Sequence, residues 1–286
     1  MTHFINQIIE KCFGSDVNVT STMIIGGGCI NNALKVDTNT GRFFLKWNVN
    51  AGDMFEAEAD GLKTLQNAST IKIPAVLGLG SEEEKDYLLL EWVENGVIQK
   101  ETWKIFGQQL ALMHRTTQDQ HGYHRDNYIG SLAQINSKHP SWHSFFIEER
   151  LMPQLRLARS KKLVDKKLSD QFESLFSKLG ELIPAEKPAL LHGDLWSGNY
   201  MITAAGEPCI FDPAVYFGHR ETELAFTTLF GGFDREFYLA YNEQFPLEKG
   251  FEDRIDIHNL YPLLVHVNLF GTSYLSGVVS TLKKYA

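Results

Sequence analysis

Along the first third of the chain, apolar residues come in short blocks rich in β-branched and aromatic side chains, the pattern of strands. Such runs occupy residues 17–25, 30–36 and 42–47, and the turn-forming segment Asp37-Thr38-Asn39-Thr40-Gly41 joins the last two. One helix interrupts them over 53–66, where Phe55, Leu62 and Leu65 share a face. Further strand-type runs follow at 75–79 and 87–93. After Glu94-Asn95-Gly96 the period becomes helical, with helices predicted over 101–116, 141–159, 163–182, 219–230, 234–244 and 254–279. Residues 190–199 break this series as a loop. Residues 200–202 and 208–211 then read as a tight hairpin turning at Ala204-Ala205-Gly206. The pattern predicts an α+β chain: a small β-rich lobe over 1–94, a larger helical lobe over 95–286, and a ligand cleft between them.

Composition narrows the class. With 43% hydrophobic and 12% aromatic residues, the 286-residue chain can bury a substantial core. A net charge of −8 without a basic stripe argues against a nucleic-acid partner. The N-terminal MTHFINQIIEKCFG lacks the charged and apolar regions of a secretory signal, and no run approaches a membrane span, so no membrane partner is expected. Cys12, Cys29 and Cys209 are widely spaced and outside any CxxC pattern, which fits the cytoplasm. The ten histidines show no zinc-ligand spacing.

The chemistry concentrates in Leu190-Leu191-His192-Gly193-Asp194-Leu195-Trp196-Ser197-Gly198-Asn199, followed by Ile210-Phe211-Asp212-Pro213-Ala214. Isolated Asp and Asn residues more often cap loops. Here an Asp, an Asn five positions on and a second Asp past a hairpin supply what phosphoryl transfer needs. Asp194 would accept the attacking hydroxyl's proton, and Asn199 and Asp212 would hold Mg²⁺ on the phosphates of ATP.

His-Gly-Asp-x-x-x-x-Asn with a downstream Asp resembles the catalytic and metal loops of the aminoglycoside phosphotransferase and protein-kinase superfamily. Trp196 and Ser197 inside the loop, and Asp212-Pro213-Ala214 after it, resemble the fructosamine (ketosamine) kinase family in particular. Further similarity lies in Asp126-Asn127-Tyr128-Ile129-Gly130, Trp142 to Arg150, Gly218-His219-Arg220-Glu221, and Tyr261 through His266 and Asn268 to Gly271, so it runs over nearly the whole chain. The resemblance implies a protein-kinase-like bilobal fold and ATP-dependent phosphorylation at O3 of a fructosyl or ribulosyl amine. The acceptor would be a small ketosamine or a glycated protein lysine, and the product would release the free amine. Trp196 and Asn127 are the expected substrate contacts. His192 is expected to support the loop, and Arg220 with Glu221 to form a structural ion pair.

The N-terminal lobe offers separate candidates. Lys46, in the apolar run Phe43-Phe44-Leu45-Lys46-Trp47, reads either as the lysine on the ATP phosphates or as a snorkelling edge lysine. Its expected partner is Glu58, three residues after Phe55 and four before Leu62, rather than Glu56. Gly26, Gly27 and Gly28 could bring backbone N–H groups to phosphate oxygens, although a plain flexible hairpin would look alike. The main chain from Glu91 to Val93 is the expected adenine hinge. Cys29, beside the glycines, is either a packed small hydrophobe or a redox handle, and the protein either a monomer or a redox-sensitive homodimer. Cys12 and Cys209, on a helix and a core strand, should react less. Two other readings stay open: a kinase for an aminoglycoside, choline-like amine or other sugar, and a non-catalytic nucleotide-binding module.

Overall fold

The computed structural model describes residues 1–26 and 31–286. The chain forms two compact units, Met1–Thr102 with Met201–Asp212, and Trp103–Tyr200 with Pro213–Ala286. The first therefore reaches past the expected 94/95 boundary and takes in the distant hairpin. The reason is backbone bonding: Gly96 N–H donates to Ile202 (2.7 Å), Ala204 to Glu94 (2.9 Å) and Ile210 to Lys72 (3.0 Å).

The first unit is built on an antiparallel sheet of order β1-β2-β3-β5-β4: β1 (Val19–Ile24), β2 (Asn32–Thr38), β3 (Arg42–Val49), β4 (Val76–Glu82) and β5 (Lys85–Glu91). Helix α1 (Thr2–Phe13) covers one face. Its stripe Phe4, Ile5, Ile8 and Ile9 is fully buried against Leu34, Val36, Leu45, Tyr87 and Leu89. Each of those four side chains contributes roughly 1.5–3 kcal/mol by leaving water. Helix α2 (Met54–Ala68) lies between β3 and β4 in sequence and buries Phe55, Leu62 and Leu65, as the periodicity predicts.

The second unit is mainly helical: α3 (Thr102–Met113), α4 (Trp142–Phe145), α5 (Met152–Ser160), α6 (Lys166–Phe176), α7 (Leu179–Leu182), α8 (Arg220–Phe226), α9 (Arg235–Gln244), α10 (Phe251–His258), α11 (Leu260–Phe270) and α12 (Leu275–Tyr285). Between α4 and α5 runs a π-helical stretch, Phe146–Leu151. Pro153 offers no N–H there, and Arg150 Nη1 donates to the Glu149 carbonyl instead (3.1 Å). The helix expected over 254–279 is interrupted, and its second break falls at Gly271, whose φ is 96°. Two three-residue pairs were not anticipated: β6 (Asn127–Ile129) with β7 (Leu132–Gln134), and β8 (Ala189–Leu191) with β11 (Tyr216–Gly218). The hairpin β9 (Tyr200–Ile202) and β10 (Pro208–Ile210) matches expectation.

Candidate active site

Side chains alternate along β3, so Leu45 enters the α1-facing core and Lys46 faces the other side. Lys46 is only 6% exposed and is not an edge lysine, since Ala33 of β2 and Leu88 of β5 flank it. Its Nζ donates to Glu58 Oε1 at 2.7 Å and also to Asp212 Oδ1. Glu56 of the same helix is exposed. Burial works against the Lys46 charge, but the Asp212 and Glu58 carboxylates more than offset it and hold the ammonium above its usual range. Burial also pushes the Glu58 carboxyl up. Asp212, directly after Phe211 and two past β10, is a non-glycine residue held at φ 56°. Such backbone persists where its surroundings over-determine it, often at functional sites.

In the second unit, β8 delivers the loop 192–199. His192 is fully buried; its carbonyl accepts from Ala214 N–H (2.9 Å) and its Nδ1 from Asp194 N–H (3.3 Å). Gly193, at φ 83°, donates its N–H to Glu223 Oε1 (2.7 Å). A Cβ there would strike the Ala214 carbonyl. Asn199, 7% exposed, donates through Nδ2 to both the main-chain oxygen and Oδ2 of Asp194, each at 2.8 Å. Asp194 borders a small apolar cavity with Ile129, Leu195, Phe226, Tyr261 and His266. The Trp196 ring lies over Gly198, where any β-carbon would displace it, and meets Phe230 edge-on at 5.9 Å.

The loop's support includes residues that the sequence reading missed. Glu223 Oε2 pairs with His114 Nε2 (2.9 Å), and His114 Nδ1 meets the Tyr241 hydroxyl (2.8 Å). All three are buried. Only the position of Glu223, close after Gly218-His219-Arg220-Glu221, hinted at it. Arg220 and Glu221 do not pair with each other: Arg220 binds Glu186 (2.8 Å), and Glu221 binds Arg254 Nε (2.7 Å) and His258 (3.2 Å). His219, Glu221 and His258 thus bring their ligand atoms within 4.8 Å of one another, the proximity of a metal-ligand set, despite their scattered sequence positions. The Arg254 guanidinium on both Glu221 oxygens makes this an ion-pair network instead.

Other candidates fall as follows. Asn127, expected to touch substrate, is 5% exposed; its Nδ2 donates to Val215 O (2.7 Å) and its Oδ1 accepts from Gln134 (2.7 Å) and Asn136 (3.1 Å). That is the bonding of a structural pin: both acceptor sites of Oδ1 and one of the two Nδ2 hydrogens of this buried amide are spent on protein. The Glu91 carboxylate is engaged by Lys72 (2.6 and 2.7 Å) and Ala75 N–H (3.1 Å), which leaves the hinge role to main chain. Val93 is half-buried just beyond β5. Gly26 is exposed with open space around it. Gly27, Gly28 and Cys29 lie outside the described residues. Burial pushes the Cys12 thiol up and the Cys209 thiol up to about 12.

Taken by itself, each metal candidate has suitable donor chemistry: Asp212 in the first unit keeps Oδ2 and Asn199 in the second keeps Oδ1, hard oxygens of the kind Mg²⁺ takes.

Comparison with known proteins gives one consistent result. The family profile described as fructosamine kinase matches residues 1–286. A protein of Enterococcus faecium named a probable ketoamine kinase is 40% identical over 95% of this chain and 98% of its own length. The chloroplastic protein-ribulosamine 3-kinase of Oryza sativa subsp. indica is 38% identical over 95% and 80%. Among solved structures, one from Haemophilus somnus, provisionally named a fructosamine-3-kinase, superposes with a TM-score of 0.88 at 31% identity over 99% of this chain and 96% of that one. Aminoglycoside phosphotransferase APH(4)-Ia shares the protein-kinase-like α+β fold at TM-score 0.65 and 14% identity, covering all of both chains.

Proposed function

Because this chain belongs to the fructosamine kinase family, we propose that it is an ATP-dependent phosphotransferase acting on a sugar hydroxyl of ketosamines. The family match over all 286 residues is the observation that carries this reading. We assign the transfer to O3 of a fructosyl or ribulosyl amine, a position whose phosphorylation leads to loss of phosphate and release of the amine.

Residue roles follow from the chemistry each group offers. Asp194 accepts the proton of the attacking hydroxyl, its carboxylate held through Oδ2 by the Asn199 amide. Lys46, kept charged by Glu58 and Asp212, is the cation for the ATP phosphates. Asp212 and Asn199 would each give Mg²⁺ an oxygen; when bound, that ion neutralises phosphate charge. Trp196 offers the sugar an apolar wall. Gly26, with the neighbouring glycines that lie outside the described residues, is the candidate phosphate contact, and main chain at Glu91 and Val93 the candidate adenine contact. Among the described residues no helix is long and apolar enough to cross a membrane, and the cysteine usage suits the cytoplasm. Small ketosamines and glycated protein lysines are both candidate acceptors.

The test is to incubate the protein with ATP, Mg²⁺ and a 1-alkylamino-1-deoxyfructose, follow ADP release, and locate the phosphoester by ³¹P–¹H NMR. Phosphate on C3 is the expected result. Turnover of an aminoglycoside or choline with none of any ketosamine would overturn the reading.

A further inference from the structure

The base candidate Asp194 shares its cavity with His266 of α11. His266 Nδ1 lies 2.7 Å from the Pro262 carbonyl. A carbonyl can only accept, so Nδ1 carries the proton and Nε2 is an acceptor. Burial lowers the histidine's pKa, which favours this neutral form.

Around His266 stands an aromatic group from separate elements of the same unit. Phe230 is centred 4.6 Å from the imidazole, Tyr274 5.0 Å and Phe270 5.5 Å. Phe230 also meets Trp196, two residues after Asp194. These are not sealed core rings: Phe230 is 38% and Phe270 51% exposed. Exposed aromatic faces that adjoin a catalytic cavity suit an occupant that is apolar and cationic.

In a ketosamine the amine nitrogen is four covalent bonds from O3, within about 5 Å. Whatever places O3 at Asp194 therefore places the amine close by. An alkylamine nitrogen is protonated near neutrality.

We infer that Phe230, Phe270 and Tyr274 form the subsite for the amine half of the acceptor, taking the ammonium and the first carbons of its carrier, with His266 Nε2 accepting from the ammonium N–H. The inference rests on the proposed ketosamine activity and deepens it. It makes carriers with an alkyl or aryl stem, such as a lysine side chain, better acceptors than minimal ones.

The experiment compares fructosyl conjugates of methylamine, hexylamine and benzylamine, which share the reacting sugar and differ only in the stem. Wild-type kcat/KM should be roughly tenfold higher for the hexyl and benzyl conjugates. Phe270→Ala and Tyr274→Ala truncate rings that are half-exposed or partly exposed, so folding should survive. Each should raise KM several-fold more for the two larger conjugates than for the methylamine conjugate, which loses only the ring's contact with the ammonium. His266→Leu should raise KM for all three, and His266→Gln, which keeps an acceptor, should recover most of that loss. Equal wild-type kcat/KM for all stems, or ring variants that affect all three conjugates alike, would overturn the subsite while leaving the kinase reading intact. A His266→Leu variant with the parent's KM would remove His266 from it. Failure of the wild type on every conjugate would instead reject the activity itself.

Discussion

Lys46 shows how one residue's role follows from its neighbours. An ammonium at 6% exposure in a strand persists because Glu58 and Asp212 both accept from it. Removing the Glu58 charge should misplace Lys46, and a hydrogen bond to a charged group is worth roughly 1.5–3 kcal/mol. Glu58→Gln is therefore expected to lower kcat/KM for ATP at least tenfold, whereas exposed Glu56→Gln should leave it unchanged. Steady-state kinetics of the two variants decide, and equal effects would reject the pairing. Asp194→Asn removes a proton acceptor but no nucleotide contact, so kcat should fall roughly 10²- to 10⁴-fold with ATP affinity retained. Turnover within tenfold of the parent would refute the base assignment. At this scale the sequence was informative wherever a residue's neighbours lie within one helix or loop. Glu58 could be chosen over Glu56 from i+3 and i−4 spacing alone. The engagement of Asn127 by Val215 and Gln134 is tertiary, and no local spacing announces it.

At the scale of elements, the loop carrying Asp194 is held by parts far apart in sequence: α8 gives Glu223, α3 leads to His114, and α9 gives Tyr241. Glu223→Ala would leave the Gly193 N–H and His114 Nε2 unpaired in a dry interior, at about 1–3 kcal/mol for each. The variant should lose kcat about tenfold or more and several degrees of Tm, with KM for ATP little changed. Glu223→Gln can satisfy both partners and should recover most of the loss. An alanine variant with the parent's kcat would show that the loop needs no such anchor. Element legibility follows length. The amphipathic helix α2 and the hairpin β9–β10 were readable because their periodicity or turn chemistry is local. The three-residue strands β6, β7, β8 and β11 were not, because three residues carry no period and their partners lie elsewhere. The long apolar run over 254–279 concealed its breaks, since hydrophobicity stays high while the backbone turns at Gly271.

For the molecule as a whole, the largest built-in liability is acid. His121, His219 and His258 gather around the Trp142 ring, at 5.5, 5.9 and 6.4 Å between centroids, and all three are buried. Burial lowers His121 and His219 to about 4 and also lowers His258. His219, then His139 and His143, add repulsion at His121; at His219, His258 repels while Glu186 and Glu221 attract. The sign follows from which state binds the proton. Well above pH 6.5 these histidines are neutral whether folded or not, so they cost nothing. Below it the unfolded chain takes up protons that the folded chain refuses, and stability falls until about pH 4. Each of His121 and His219 then contributes a loss of roughly 3 kcal/mol, against a typical total of about 5–15 kcal/mol. Glu221, lowered to about 2 chiefly by its bonds to Arg254 and His258 against the cost of burial, adds its own loss as the pH falls through the ordinary carboxylate range toward 2. His121 is the informative position, because its Nδ1 is buried without a hydrogen-bond partner and its ring packs on Trp142 and Phe145. His121→Leu removes the titration and an unsatisfied nitrogen together. The parent's urea midpoint should therefore drop steadily from pH 6.5 to 4.5, and the variant should lose roughly 1.4 kcal/mol less per pH unit across that window. Its stability at pH 7.5 should equal or exceed the parent's. Parallel pH profiles for the two proteins would mean that His121 protonates as readily folded as unfolded, and that acid sensitivity arises elsewhere.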